Sequence, residues 1–351
     1  VTRRNLKSPA DLVAAGLVDA AAAQALRPVA RDFAIAITPD MAQLIDPTDP
    51  DDPIARQFVP SLAELNVLPE ERADPIGDAA HRPLPGIVHR YPDRVLLTLS
   101  HSCPVYCRFC FRRAVVGPGG HKKLGGEAID AALSYIAGHP AIWEVILTGG
   151  DPLALAPERI ADVMARLASI DHVKIVRVHS RVPAVAPHLI DDAMISALKA
   201  FGKATYVALH ANHPREMTPA ARAACARLID SGVPMISQSV LLRGVNDAPE
   251  ILAALMRAFV ETRIKPYYLH HGDLARGASH LRTSIAEGQA LMRALLGRVS
   301  GLCQPAYMLD IPGGAGKVPI GPQYLEEAGS AGFRVRDPFG GAHDYPPQTD
   351  R

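Results

Sequence analysis

At 351 residues the chain exceeds one average domain and can bury a large core, which fits a single α/β barrel carrying an extension. Its 37 basic and 36 acidic residues are spread along the chain and leave a formal net charge of +1, so there is no electrostatic footprint for nucleic acid. No apolar run has the length of a membrane span, and the first residues lack the apolar core of a secretory signal. Five cysteines, three of them tightly clustered, argue against a disulfide framework, and a soluble cytoplasmic protein is expected.

In chain order, residues 1 to about 90 read as a helical, proline-punctuated extension. Ser8-Pro9-Ala10-Asp11 puts a capping hydroxyl before a proline and predicts a helix running through Ala25; Thr38-Pro39-Asp40 opens another. Asp46 to Pro53 is acidic and proline-rich, the composition of a solvated linker. From Arg94 onward short apolar strands alternate with amphipathic helices. Strands are predicted at 94–100, 144–148, 173–178, 205–210, 233–240 and 266–270. Between them apolar residues recur at helical spacing, as in Ile129, Ala132, Leu133 and Ile136, and in Ile160, Val163, Met164 and Leu167. Six β-then-α units in succession imply a parallel sheet with right-handed crossovers, doubly wound or closed toward a barrel. A last strong helix is expected from Ser284 to about Leu296, then an apolar segment from Gln304 to Asp310, then an irregular tail rich in glycine and proline.

Polar residues collect at the predicted strand ends: Gly149-Gly150-Asp151, His179-Ser180-Arg181, His210 to His213, Gln238, and His270 to Asp273. Parallel α/β folds form their active sites there. The first of these ends carries Cys103 to Arg113, CPVYCRFCFRR, a CxxxCxxC cluster directly after the strand at 94–100. Three thiolates so close together can hold three corners of a metal centre. A structural zinc site wants four closed protein ligands and electron-transfer iron–sulfur clusters are held by four cysteines, so three leave one metal position open for chemistry. Gly149 and Gly150 follow a strand, where glycine permits positive φ and close backbone approach to a ligand. Pro312-Gly-Gly-Ala-Gly-Lys317 fails the nucleotide P-loop pattern because Val318 follows the lysine. A lysine on a flexible glycine loop can instead form an imine with pyridoxal phosphate (PLP).

Taken together and in order, CxxxCxxCxRR, GGDPL, HxNHP, QSVLLRGVND, the Asp273 segment and DxPGGxGK resemble the lysine 2,3-aminomutase family over roughly residues 40 to 320. The resemblance implies an α/β fold: a partial (βα)6 TIM-like barrel of the radical S-adenosylmethionine (SAM) type, residues 91–300, with a helical N-terminal extension, residues 1–90. An irregular C-terminal segment, residues 301–351, would carry the PLP lysine. It implies that Cys103, Cys107 and Cys110 hold a [4Fe-4S] cluster whose open iron chelates SAM. Gly149, Gly150 and Asp151 match the SAM loop, and Ser180, His210 and Gln238 match strand ends lining the SAM site. Lys317 matches the lysine that binds PLP, with Arg90, Tyr91 and Arg94 of HRYPDR around its phosphate. Arg112 matches the arginine that takes the substrate carboxylate, and Asp273 and Asp310 the two carboxylates that receive the ε-ammonium of L-lysine.

The implied chemistry is radical migration of the amine from Cα to Cβ, giving β-lysine, with an external one-electron reductant. The carboxylate pair is the reason for reading lysine as the substrate, because a desolvated cation needs opposite charge. An aminomutase acting on glutamate or arginine is the alternative within the family, and β-lysine made for modification of elongation factor P is a further use of the product. A non-catalytic iron–sulfur module gives the lysine loop, the HRYPDR arginines and the aspartates no role. Ala248 stands after GVND where some members carry a cysteine, and no cysteine follows Cys303, so no zinc is expected. Cys225 and Cys303 read as buried core thiols. His270 stands where the family suggests an aromatic residue. No membrane or nucleic-acid partner is expected, and homo-oligomerisation is a family expectation.

Overall fold

The computed structural model describes residues 4–116, 123–328 and 332–347. The N-terminal extension holds five short helices, α1 (Pro9–Ala14), α2 (Ala20–Ala25), α3 (Arg27–Asp32), α4 (Pro39–Ala42) and α5 (Ala55–Phe58). Ser8 and Thr38 cap α1 and α4 through their side-chain oxygens, as the sequence suggests. The single helix expected from Ser8 through Ala25 is broken in two. Gly16 takes a φ of 71°, which ends α1, and Asp19 opens α2 by accepting from the Ala22 N–H. The acidic stretch before α5 is not a free linker either: Asp52 is fully buried, accepts from Ile54 and Ala55 N–H, and pairs with Arg215 at 2.7 Å.

The core of the molecule is a nine-stranded sheet whose spatial order is its chain order, β1 to β9. β1 (Ile87–Tyr91) turns back antiparallel onto β2 (Arg94–Ser100). Then α6 (Gly126–Ala137), β3 (Glu144–Gly149), α7 (Pro157–Ala168) and β4 (Ile175–Ser180) follow, and α8 (Val182–Val185) and α9 (Asp192–Lys199) lead to β5 (Ala204–His210). The series continues with α10 (Pro219–Asp230), β6 (Met235–Val240), α11 (Pro249–Glu261), β7 (Ile264–His270), α12 (Ile285–Leu295) and β8 (Ala306–Ile311). β2 to β8 are parallel, which gives the six βα units expected, and β9 (Gly316–Pro319) closes the series antiparallel to β8. The sheet is nearly closed into a barrel: the Lys317 N–H on β9 donates to the Tyr91 hydroxyl on β1 at 2.9 Å, so the two edges meet through a side chain.

Successive apolar residues such as Val145, Ile146 and Leu147 on β3 are all buried, as strands covered on both faces require. The helices present the stripes read from the sequence: Ile160, Val163, Met164 and Leu167 of α7 have no exposed surface. Along β4 and β6 fully buried positions alternate with half-buried ones, and the half-buried set includes Arg177, His179 and Gln238. These line the polar lumen. A bulge in the β6–β7 register, between Pro266 and Tyr268, resets the alternation so that Tyr268 pairs with Gln238 and His270 reaches the same lumen. Among the described residues no helix is long and apolar enough to cross a membrane.

The last fifty residues hold more regular structure than an irregular tail. β8 and β9 form a hairpin, and β10 (Leu325–Glu327), β11 (Phe333–Arg336) and β12 (Ala342–Tyr345) make a separate antiparallel sheet. In the hairpin Gly313, Gly314 and Gly316 all take positive φ, so the glycines build a tight turn and do not leave the lysine on a flexible loop. The register sets Asp310 opposite Lys317, which explains the spacing of the motif that carries both.

Candidate active site

The loop after β2 carries Cys103, Cys107 and Cys110, all partly exposed, and the N-terminal extension clamps it from outside. Tyr106 N–H donates to Ala36 O at 2.8 Å and Arg108 N–H to Gln57 O at 2.9 Å. Arg108 is itself fully buried: its Nε lies 3.0 and 3.1 Å from the two oxygens of Glu64, and its Nη1 donates to Ala34 O at 2.6 Å. Arg113 pairs with the same carboxylate and lies 3.7 Å over the Phe33 ring. Burial disfavours charge on Glu64, but the two guanidinium groups outweigh it and hold the carboxyl below its ordinary range. Two arginines of CRFCFRR are therefore structural. Glu64 was not legible as their partner, since its only local signal is the capping box with Ser61.

Gly149 and Gly150 belong to the wall of this loop. A Cβ on Gly150 would lie 2.2 Å from Ser102 O, and one on Gly149, where φ is 110°, would lie 2.3 Å from Thr98 Cγ2. The Gly150 and Asp151 N–H groups donate to Ser100 O at 2.6 Å and Ser102 O at 3.0 Å. Close approach, of Gly149 to the end of β2 and of Gly150 to the start of the cysteine loop, is thus one reason for both glycines. Gly150→Ala is expected to displace the loop, cost about 1–3 kcal/mol of stability and lower the iron bound per chain; thermal melting together with iron analysis checks both.

Asp151 is a buried hub. Its Oδ1 accepts from Ser180 Oγ at 2.7 Å and Leu153 N–H at 3.1 Å, and its Oδ2 from Arg181 and Val182 N–H at 2.7 and 3.2 Å. Burial raises its pKa against these hydrogen bonds. Asp151 and Ser180 are therefore tied to each other and join the ends of β3 and β4. His210 ends β5 with its Nε2 3.2 Å from Asn212 Oδ1 and its ring 5.5 Å from Phe109. Burial, and then the Arg181 charge, hold it well below the ordinary histidine pKa, so it is neutral near pH 7.

Across the lumen runs a connected series. Lys317 Nζ donates to both oxygens of Asp310, at 2.8 and 2.9 Å; His270 Nδ1 lies 3.4 Å from Asp310 Oδ2 and His270 Nε2 3.3 Å from Gln238 Oε1; Gln238 Nε2 donates to His179 Nε2 at 2.9 Å. Burial opposes the Asp310 charge, but His270 and Lys317 hold its pKa far below the usual carboxylate range. Asp273 is the reverse case: burial, and then the Asp310 charge, push it up to about 7. Beside them, Asp78 accepts from Arg90 Nη2 at 3.2 Å through Oδ1, and from Arg112 Nε and Nη2 at 3.1 and 2.8 Å through Oδ2. Arg112 also reaches Thr148 Oγ1 at 3.1 Å. Arg94 lies 3.9 Å over the Tyr91 ring and pairs with the exposed Asp93.

Lys317, Asp310, Tyr91, Arg94, Arg90, Arg112 and Gln238 thus come together along the lumen and its seam. Cys103, Cys107, Cys110, Gly149, Gly150, Asp151, Ser180 and His210 gather around the neighbouring strand ends. Asp78, His179 and Arg181 join them without having been singled out. Arg181 and His179 stood among the polar strand ends, whereas Asp78 lies in a loop whose approach to β1 only the fold reveals.

Three tests of fit bear on bound groups. Burial first, and then Asp151 and the other two thiols, raise the pKa of Cys103, and Cys110 is pushed up to about 11, chiefly by burial and then by Cys107. Three thiols that resist ionising together are a donor set that a polycation would deprotonate and draw in. Among the described residues no three such side chains already stand in metal-ligating geometry, so the fit is one of donor chemistry. At the seam, Arg90 Nε is a buried donor with no partner, facing a shortage of acceptors that a phosphate would relieve. Lys317 supplies a primary amine in the same lumen.

The radical SAM superfamily model matches residues 97–256. The chain is 41% identical to the L-lysine 2,3-aminomutase of Clostridium subterminale over 295 residues, 84% of this chain and 70% of that protein. It is 40% identical to the L-lysine 2,3-aminomutase of Acetoanaerobium sticklandii, over 83% of this chain and 70% of that protein. A glutamate 2,3-aminomutase from Clostridioides difficile is 35% identical over 87% of this chain and 72% of its own length.

Proposed function

The chain belongs to the lysine 2,3-aminomutase family of radical SAM enzymes, and from that membership we propose that it converts L-lysine to β-lysine with a [4Fe-4S] cluster, SAM and PLP. The observation that carries the choice of substrate is the contact between Asp310 and an alkylammonium. Lys317 Nζ sits on both oxygens of this aspartate, the arrangement a substrate ε-ammonium needs once Lys317 is engaged with PLP. A γ-carboxylate in the same place would meet Asp273 and Asp310 as like charges, which is why lysine is favoured over glutamate.

When bound, cluster and SAM supply a hydrogen-abstracting radical, fed by an external one-electron reductant, and PLP carries the migrating amine. The chain's own residues bind, orient and exclude water. Cys103, Cys107 and Cys110 hold the iron, and the ends of β3, β4, β5 and β6, with Gly149, Gly150, Asp151, Ser180, His210 and Gln238, shape the adjoining SAM site. Arg90 offers its free Nε to the phosphate, with Tyr91 and Arg94 beside it. Arg112 takes the substrate carboxylate, so the substrate is anchored by opposite charges at its two ends. Asp78, between the two arginines, holds their forks in place.

Anaerobic reconstitution with iron, sulfide, PLP and SAM, followed by reduction and separate incubation with lysine, glutamate and arginine, tests the reading. β-Lysine alone is expected; turnover of glutamate with none of lysine overturns the assignment. A pH dependence follows from Asp273. With its pKa raised to about 7, it is protonated in more acidic solution and ionises as a cationic substrate end arrives, so binding weakens below pH 7 and gains nothing above pH 8. KM for lysine is expected to rise up to about tenfold per unit below pH 7, and Asp273→Asn to raise KM about 10- to 100-fold and flatten that dependence. A KM for the variant equal to that of the wild type removes Asp273 from the substrate site.

A further inference from the structure

Cys107 differs from the other two clustered thiols in having a cation bonded to its sulfur. Arg181, at the end of β4 and 5% exposed, donates from Nη1 to Cys107 Sγ at 2.9 Å. The rest of the guanidinium is fixed from several sides. Nη2 donates to Gln57 Oε1 at 2.7 Å and to Glu216 Oε2 at 2.6 Å, and the group lies 4.6 Å over Phe58 and 5.4 Å from the Phe109 ring centre. Its backbone N–H is held by Asp151. Glu216 is fully buried, and its other oxygen accepts from Gln57 Nε2 and from Asn212 and His213 N–H at 3.1, 2.9 and 3.0 Å. Arg181 Nε is a buried donor with no partner among the described residues. Such a network, joining the N-terminal extension, β4 and the loop after β5, is more than is needed to cap a strand.

We propose that Arg181 is a positioning residue that sets the reduction potential of the iron–sulfur cluster, by presenting a fixed positive charge and an N–H donor to the Cys107 sulfur. The inference rests on the assignment of the three thiols as cluster ligands. Reduction adds one electron to the cluster, taken from the external one-electron donor, with no bond made or broken at Arg181. A buried cation and a hydrogen bond to a ligating sulfur both stabilise the added negative charge, so they move the potential upward. Glu216 opposes this effect, because its charge partly cancels that of the guanidinium. The two residues therefore act with opposite sign on the same couple, which a purely structural role for either does not require.

The test is an EPR-monitored redox titration, with dithionite as reductant, of the reconstituted 351-residue chain without SAM or substrate. Wild type, Arg181→Lys, Arg181→Gln and Glu216→Gln are compared at equal iron and sulfide content. The midpoint is expected to fall in Arg181→Gln, to fall less in Arg181→Lys, and to rise in Glu216→Gln. Unmoved midpoints in both arginine variants overturn the role of Arg181. Should Arg181→Gln fail to hold its cluster, Arg181→Lys and Glu216→Gln decide, and a Glu216→Gln midpoint at or below that of the wild type overturns the proposal. Failure of the wild type to give any reducible four-iron signal instead overturns the cluster assignment on which it rests.

Discussion

Lys317→Ala is expected to abolish β-lysine formation, a loss on the order of 10³-fold or more in turnover, because the proposed reaction then lacks the amine assigned to anchor PLP covalently. The geometry makes the effect separable from misfolding. Lys317 contributes its backbone N–H to Tyr91 and its side chain to Asp310, and only the second is lost in the variant. The hairpin register is a backbone property, so the fold should survive. Lys317→Arg supplies the control: it keeps a cation on Asp310 but cannot form an imine, and it too should be inactive. Absorbance of lysine-bound PLP should disappear in both variants, while the cluster spectrum and SAM binding persist. Near-normal β-lysine production by Lys317→Ala would remove Lys317 from the reaction.

Glu64→Ala is expected to cost about 3–5 kcal/mol of stability, the usual consequence of leaving buried charge without its partner. Arg108 and Arg113 are both almost wholly inaccessible and share this one carboxylate, so its removal strands two guanidinium groups at once. For a chain of this size the melting temperature should fall by roughly 4–7 °C. The damage should also reach the chemistry, since both arginines belong to the loop that carries the thiols, and iron retention should drop with stability. A melting temperature within about 2 °C of the wild type would show that the extension does not depend on this contact to hold the loop.

Much of this architecture was legible from local pattern. The stripe Ile160, Val163, Met164 and Leu167 predicts a helix with one buried face, because periodicity is a property of neighbours in sequence, and α7 buries all four. The starts expected for β4 and β6 fell two residues early, where apolar character precedes the first ladder pairing, and the one expected for β7 fell two residues late, since the ladder already begins at Ile264. The helix expected from Ser8 to Ala25 failed for a different reason: Gly16 and the Asp19 cap break a run whose composition alone favours helix. The glycine-rich segment at 313–316 was read as flexible and is a hairpin turn, because glycine permits both and only the pairing of β8 with β9 decides between them.

The sequence by itself determined the inventory of chemistry: three thiols on one loop, a lysine behind glycines, arginines before the first parallel strand, and two aspartates late in the chain. Those features are short-range, and a motif survives in the letters because its residues are adjacent. What only the tertiary structure decided is which charges answer one another. Asp78 between Arg90 and Arg112, Glu64 under Arg108 and Arg113, and Glu216 behind Arg181 join residues 12 to 49 positions apart in the chain. Neutralising a buried charge depends on distance through space, and strands and loops distant in sequence become neighbours only once the sheet has curved and the extension has closed over the cysteine loop.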